Sequence, residues 1–479
     1  MKLKRYIGFQ LILTLLTILV AILLNEYLAI DNRESLYILC LYNVISFFLH
    51  LAILCLRTKY IFHPISLFSI FFYLFSSGQL ILYVFGIQST RFNVFERVDL
   101  TSLSTSILFV TLAYSFYQLG VVLAYSKNTL DFEQSITFNL EKDSTMYNVG
   151  LILLTIGIVP FTIQLVNNLQ VVLSSGYKAY YESGARVDSV FMGLIYYFYV
   201  GIIFLACSNI NENKSKLYSF IFVVISIIRF LSGDRGDGIL LLLSSLLLYL
   251  FLVKKKKFNL KQIVLLFLLV PFLVPLVDIW RNSVGNNNEG NFFEMFILTL
   301  KDSNAYVLML ENLGATIYPL GKLVSIFPYN VNFLYGITYI SSLVLLIPSP
   351  LRIGFIGDLT NNQLFSSPAN WLQKYLDLSY GQGFSPFAEA YMNFGFWGIP
   401  FMFFFGYIVV KAFSPNIKKL NVNMKLGIMV SVFLLFSMST RGSSNFMIAF
   451  YVRYILIPIV IYLLYKGRKK FEKNINRHK

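Results

Sequence analysis

Long apolar runs, each about the length of a membrane crossing, alternate with short polar segments from one end of the chain to the other. A hydrocarbon core about 30 Å thick needs about 20 apolar residues in an α-helix. A window of about 19 residues picks out spans at 6–24, 36–56, 64–85, 103–125, 147–166, 190–208, 217–233, 238–253, 262–279, 385–410, 426–440 and 444–465. The predicted fold is therefore all-α, an integral membrane protein of about 12 transmembrane helices. Only Asp234 to Asp237 separate spans seven and eight, which form a tight hairpin, and spans eleven and twelve turn at Thr440 to Ser444. Met1 to Arg5 is basic and leads into an apolar run with no small-residue cleavage site after it, the pattern of a retained helix. Residues 1–479 read as one polytopic membrane domain without an internal repeat, which disfavours a transporter built from repeats.

Composition agrees with the pattern. Of the 479 residues, 57% are hydrophobic and 13% charged, where a soluble domain carries about a quarter charged residues. The net charge of +16 raises nucleic acid as a partner, but the basic residues sit in short connections and in the tail Lys466 to Lys479. That placement fits anionic lipid headgroups and cytoplasmic retention, with no nucleic acid as partner. With the N-terminus inside, cytoplasmic segments hold 25 of the 39 Lys and Arg residues and outer segments hold 12, while Arg229 and Arg453 lie within spans. Both termini are thus expected in the cytoplasm. Cys40, Cys55 and Cys207 all fall in apolar runs, so neither a disulfide nor redox chemistry is indicated.

The outer loops are unequal. Residues 280–384, between spans nine and ten, form a large outer loop that mixes polar stretches with the apolar stretch Phe333 to Pro348. That stretch is expected to lie in the interface or re-enter the membrane. A smaller outer loop, 167–189, carries Tyr177, Lys178, Tyr180, Tyr181, Glu182 and Arg186. Long ordered loops are usually functional, which puts the working face outside.

Charges inside or bordering spans are costly and point to function. Arg453 lies near the middle of span twelve and Arg441 at its outer end. If the helix reaches Arg441, the two are roughly three turns apart on one face. The competing reading has Arg453 pairing with buried groups and only holding helices together. The turn Ser232 to Gly238 places three glycines around Arg235 at the start of a span, where free amides suit an anion. Arg229 lies about two turns deeper, and a plain glycine hairpin with a snorkelling arginine explains the same residues. Its Arg-Gly-Asp triplet is pinned between helices and cannot serve as an adhesion motif. Arg281 after Trp280, Arg352 after Pro348-Ser349-Pro350, and Lys374 add outer cations. Arginine grips phosphate in a bidentate manner, so Arg235, Arg281, Arg352 and Arg441 suit a diphosphate-bearing ligand, with ordinary surface ion pairs as the alternative. Glu389, one turn into span ten, is the carboxylate placed to serve as a general base, or else as an arginine-paired structural residue. His50, His63 and His478 all fall on the cytoplasmic half, so an outer base must be a carboxylate, a tyrosine or the substrate itself. No outer segment has metal-ligand spacing, and neither a metal nor another cofactor is expected.

The order of these features resembles the O-antigen polymerases of the Wzy type. The features are Ser175-Gly176-Tyr177; Gly233-Asp234-Arg235-Gly236; Trp280-Arg281; Ile347-Pro348-Ser349-Pro350; Ser385-Pro386 through Gly395 to Gly398; and Thr440-Arg441-Gly442. The resemblance covers most of the chain. It implies a metal-independent glycosyltransferase with a GT-C-like fold in a bacterial inner (plasma) membrane. Such enzymes move glycan from undecaprenyl diphosphate to the non-reducing end of another lipid-linked oligosaccharide repeat on the outer face. Arg235, Arg281 and Arg441 would then hold the diphosphate, and Glu389 would orient or deprotonate the acceptor hydroxyl. Arg352, Arg453, Arg229, Tyr177, Tyr180 and Arg186 would bind substrate. Membrane lipid and a chain-length regulator protein would be further partners. An O-antigen ligase is a neighbouring alternative, but its proposed base is an outer-loop histidine, absent here. A lipid-linked oligosaccharide flippase also fits a dozen spans but needs no hundred-residue outer loop. A polyprenyl-phosphate-sugar transferase is disfavoured because the first outer loop lacks a paired-aspartate pattern.

Overall fold

The computed structural model describes residues 2–27, 32–89, 92–125, 140–182, 193–232, 235–255, 257–269, 272, 276, 297, 304–378, 381, 383–417 and 419–475. Side chains are described for these except at 2–4, 175–182, 235, 260, 267, 269, 349, 470–471 and 473–475. Among the described residues there is no strand; every regular element is helical.

Four long helices open the chain: α1 (Lys2–Tyr27), α2 (Arg33–Thr58), α3 (Pro64–Val84) and α4 (Leu100–Ala124). Local chemistry sets their starts. Asn32 accepts from the Glu34 amide ahead of α2, His63 caps α3 with Pro64 at its first position, and Asp99 accepts from the Ser102 amide ahead of α4. Such caps satisfy amides that a helix start leaves unpaired. Burial raises the Asp99 carboxyl, but hydrogen bonds from Ser102 and Thr101 outweigh it and hold the group below its ordinary range.

Next come α5 (Ser144–Glu182), α6 (Ile195–Cys207), α7 (Glu212–Leu231), α8 (Arg235–Leu248, extended by a π-helical turn to Lys254) and α9 (Leu260–Leu269). The segment expected as a large loop holds the shorter helices α10 (Ala305–Leu313), α11 (Ile317–Ile326), α12 (Ile337–Val344), α13 (Phe355–Asn361) and α14 (Pro368–Tyr375). The chain ends with α15 (Pro386–Phe394), α16 (Gly398–Phe413), α17 (Val422–Ser439), α18 (Ser444–Tyr451) and α19 (Ile457–Ile475). A π-helical turn, Val452–Leu456, joins α18 to α19.

Among the described residues, nine helical stretches are long and apolar enough to cross a membrane: α1 to α5, α8 with its π turn, α15 with α16, α17, and α18 with α19. The chain is a multi-pass membrane protein. Of the other three expected spans, α6 has 13 residues. Helix α7 carries Glu212, Lys214, Lys216 and Arg229, and most of the segment after α9 lies outside the described residues. Two expectations change. Residues 167–182 continue α5 as helix instead of forming a loop, because the Asn, Gln and Tyr side chains there do not break a helix already propagating. Span ten keeps its crossing length as α15 with α16, but its helix is interrupted at Gly395, whose φ of +56° ends α15, a conformation glycine adopts freely.

The chain divides into two compact units. Unit 1 comprises Met1–Thr129, Met309–Ser414 and Leu435–Phe450. Its helices approach closely where side chains are missing: a Cβ on Gly120 would strike the Phe403 carbonyl oxygen, and one on Gly406 that of Tyr117. Polar side chains also bridge helices inside it. Asn43 donates to Thr111 Oγ1 at 2.8 Å and accepts from Tyr73 OH at 2.9 Å, and His50 lies 2.6 Å from Gln10 Nε2. Small residues and interhelical hydrogen bonds are what hold helices together where lipid removes the hydrophobic drive.

Unit 2 comprises Leu130–Leu308, Pro415–Leu434 and Tyr451–Lys479. Asp143 gathers its parts. Its Oδ1 accepts from the amides of Thr145 and Met146, both at 3.0 Å, and its Oδ2 from Asn421 Nδ2 at 2.7 Å and Tyr462 OH at 2.9 Å. One carboxylate thus caps α5 and ties it to two later segments. Asp143→Ala removes a helix cap and strands the buried Tyr462 hydroxyl and the partly buried Asn421 amide, at a cost of about 2 kcal/mol or more. A drop of several degrees in the thermal unfolding midpoint of the purified protein is expected; an unchanged midpoint would deny Asp143 this role.

Candidate functional site

In unit 1 the carboxylate singled out from the sequence sits at the meeting point of three elements. Ser385 caps α15 by accepting from the Ala388 amide at 3.1 Å, and Pro386 occupies the first position. This places Glu389 in the first turn, fully buried. Its Oε1 accepts from Thr338 Oγ1 and from Ser444 Oγ, both at 2.8 Å, and its Oε2 accepts from the Ser444 amide at 2.6 Å. The Ser444 amide belongs to the start of α18, where the helix dipole favours a negative charge.

A second layer fixes these donors. Asn393, one turn beyond Glu389, donates to Thr338 Oγ1 at 2.7 Å and to the Glu389 carbonyl at 2.8 Å, and accepts from the Gly336 amide at 3.0 Å. Ser342 Oγ lies 3.1 Å from Ser444 Oγ and donates to the Thr338 carbonyl at 2.7 Å. Thr338 and Ser342 come from α12, inside the apolar stretch read as interfacial. Burying a carboxylate is tolerable only with such a set of donors.

Arg441 belongs to the same junction. Its carbonyl accepts from the Phe384 amide at 3.0 Å, joining its turn to the segment that enters α15. The side chain is exposed, with its guanidinium carbon 5.8 Å from the Phe75 ring centroid. Gly383 lies beside it: a Cβ there would meet the Arg441 Nε at 3.5 Å, and its φ of +82° is a glycine conformation. The structure therefore brings Glu389 and Arg441 together, one buried and one exposed, on a single framework.

The remaining expected residues divide by place. Arg352 donates to the carbonyls of Ile347 at 2.7 Å and Leu345 at 2.9 Å, so part of its fork closes the end of α12. In unit 2, Arg229 is buried. It donates from Nε to Tyr199 OH at 2.9 Å and from Nη2 to Gln164 Oε1 at 2.7 Å, with its guanidinium carbon 5.4 Å from the Phe161 ring centroid. It ties α5, α6 and α7 from within and does not snorkel. Arg453 lies in the π-helical turn, and its carbonyl accepts from Tyr197 OH at 3.0 Å. Since α18 begins at Ser444, Arg441 is in the preceding turn, and the continuous helix that would align it with Arg453 is not formed. Arg235 opens α8, and Tyr177 and Tyr180 continue α5, but their side chains are outside the described residues; Arg186 and Arg281 are outside them altogether.

Sequence reasoning missed Thr338, Ser342, Asn393 and Ser444. The spacing of four between Glu389 and Asn393 puts both on one helix face and is a local signal for that pair. Thr338 and Ser444 are 51 and 55 residues from Glu389, and no local pattern announces them.

No curated protein and no solved structure matches the chain. The family model for the O-antigen polysaccharide polymerase Wzy matches residues 6–470, nearly the whole length. The chain belongs to that family of membrane glycosyltransferases, which polymerise lipid-linked oligosaccharide repeat units.

Proposed function

We propose that the protein extends glycan on the outer face of a bacterial inner membrane, with undecaprenyl diphosphate as the leaving group. A hydroxyl oxygen of one lipid-linked repeat forms the new bond to the anomeric carbon of the growing chain on a second carrier. The bond from that carbon to the diphosphate breaks, and the carrier leaves with the bonding electrons. The hydroxyl proton passes to a carboxylate or to the departing phosphate. Arg441 stabilises the charge that develops on the diphosphate, the kind of interaction that usually dominates such catalysis. Guanidinium groups supply the positive charge, so the reading is metal-independent. Arg352, Arg453, Arg229, Arg186, Tyr177 and Tyr180 as substrate contacts, and Arg235 and Arg281 as further diphosphate ligands, rest on the sequence alone. So do the twelve-span GT-C-like architecture, the outer placement of 280–384, the cytoplasmic termini and a chain-length regulator as partner.

One observation carries the reading: an exposed arginine tied through its own backbone to the segment that leads into the helix bearing a buried carboxylate, in a chain matched from residue 6 to 470 by the family model. Gel analysis of surface glycan in a deletion strain tests it. A single repeat on the lipid core without this gene, and a ladder when it is restored, is the expected result. Intact chains unattached to core would mean a ligase, and loss of all outer glycan a flippase.

A further inference from the structure

Two roles for Glu389 fit the proposed reaction: taking the acceptor proton, or holding the arginine turn. We infer that Glu389 is a positioning residue that acts through Arg441, and this inference rests on the reading just given. The geometry carries it. Glu389 has no exposed surface, and both carboxylate oxygens are already engaged by Thr338, by the Ser444 hydroxyl and by the Ser444 amide. A general base must reach the proton it removes, and a substrate hydroxyl has no open approach to a carboxylate so enclosed.

What the carboxylate does hold is the hairpin. The Ser444 amide is three residues from Arg441, and the other end of the link is the Phe384 amide, which donates to the Arg441 carbonyl at 3.0 Å. The segment from Phe384 to Glu389 therefore grips the turn at two points, before and after Gly442. Thr338 and Asn393 brace the carboxylate from α12 and from its own helix. Placement of a guanidinium to within fractions of an ångström depends on such a supporting shell. The acceptor proton then goes to the departing diphosphate, which keeps atoms and charge balanced without Glu389.

A double-mutant cycle on purified, membrane-reconstituted protein with lipid-linked repeat units separates the roles. Glu389→Gln keeps the shape and can still accept from the Ser444 amide while donating to the hydroxyls. Its rate is expected within about tenfold of wild type, the scale of one neutral hydrogen bond, with an unaltered pH profile. Removing a general base costs about a hundredfold or more and would abolish the acid limb of that profile. Glu389→Ala is expected to lower the rate per folded molecule strongly. In an Arg441→Ala background it should cost nothing further, because the group it positions is gone. A hundredfold loss in Glu389→Gln, or losses at Glu389 and Arg441 that multiply, would overturn the inference. Where Glu389→Ala does not fold, Glu389→Gln carries the test alone. A readout without turnover keeps the two claims apart. The thiol-labelling rate of Arg441→Cys should change severalfold on adding Glu389→Ala and stay unchanged with Glu389→Gln. That pattern in a protein that builds no polymer would sink the proposed reaction and leave the positioning role, and the absence of the pattern would sink the positioning role.

Discussion

Alanine at Arg441 is expected to slow glycan transfer by about a hundredfold or more, the loss seen when one preorganised donor to a developing negative charge is removed. In cells the long ladder of surface glycan should collapse to one or a few repeats. Alanine keeps the backbone hydrogen bond from the Phe384 amide to the carbonyl at 441, so the amount of folded protein should hardly change. That separates a chemical effect from a structural one. Lysine at the same position should recover only part of the rate, because an ammonium is a point charge and cannot match two phosphate oxygens with a planar fork. A full ladder from Arg441→Ala would remove the residue from the site.

The second large effect is expected on folding. Valine at Gly406 would drive its Cβ into the Tyr117 carbonyl oxygen, and valine at Gly120 into that of Phe403. These are backbone atoms, so no side chain can swing aside, and α4 and α16 must move apart along their contact. Overpacking of this kind costs about 1–3 kcal/mol or more, on top of the packing lost as the helices separate. Membrane levels of either variant should fall severalfold. Gly8→Ala, where nothing lies within 4 Å of the added carbon, is the control and should be silent. Normal levels and activity in Gly406→Val would contradict the packing described for unit 1.

The four long helices of the first 124 residues were legible because apolar runs are a local signal and gave their length. The caps at Asn32, His63-Pro64 and Asp99 are equally local, but the reading from apolar windows did not use them. The stretch after span five was misread because Asn167, Asn168 and the tyrosines look like loop composition, whereas a helix already under way extends through them to Glu182. Glycine at 395 stood in view as part of a motif, but nothing beside it announces the ring of Phe333, which a Cβ at 395 would meet at 2.7 Å. That contact comes from 62 residues away. The site divides in the same way. Glu389 and Arg441 were chosen from position in a span and at a turn, both local properties. Their relation depends on Phe384, Thr338 and Ser444, and hydrogen bonds over such separations leave no periodic trace. Arg352 was chosen as an outer cation after Pro348-Ser349-Pro350, and the carbonyls at 345 and 347 that engage part of its fork belong to the way the chain closes α12.

Arg441 is expected to face the compartment where the lipid carrier presents its diphosphate. After replacement of the native Cys40, Cys55 and Cys207, a cysteine at 441 can be probed in sealed spheroplasts with a membrane-impermeant maleimide, beside a cysteine at Lys411 in a segment expected inside. Labelling at 441 before permeabilisation, and at 411 only afterwards, is the predicted result. Labelling at 441 only after the membrane is opened would contradict it.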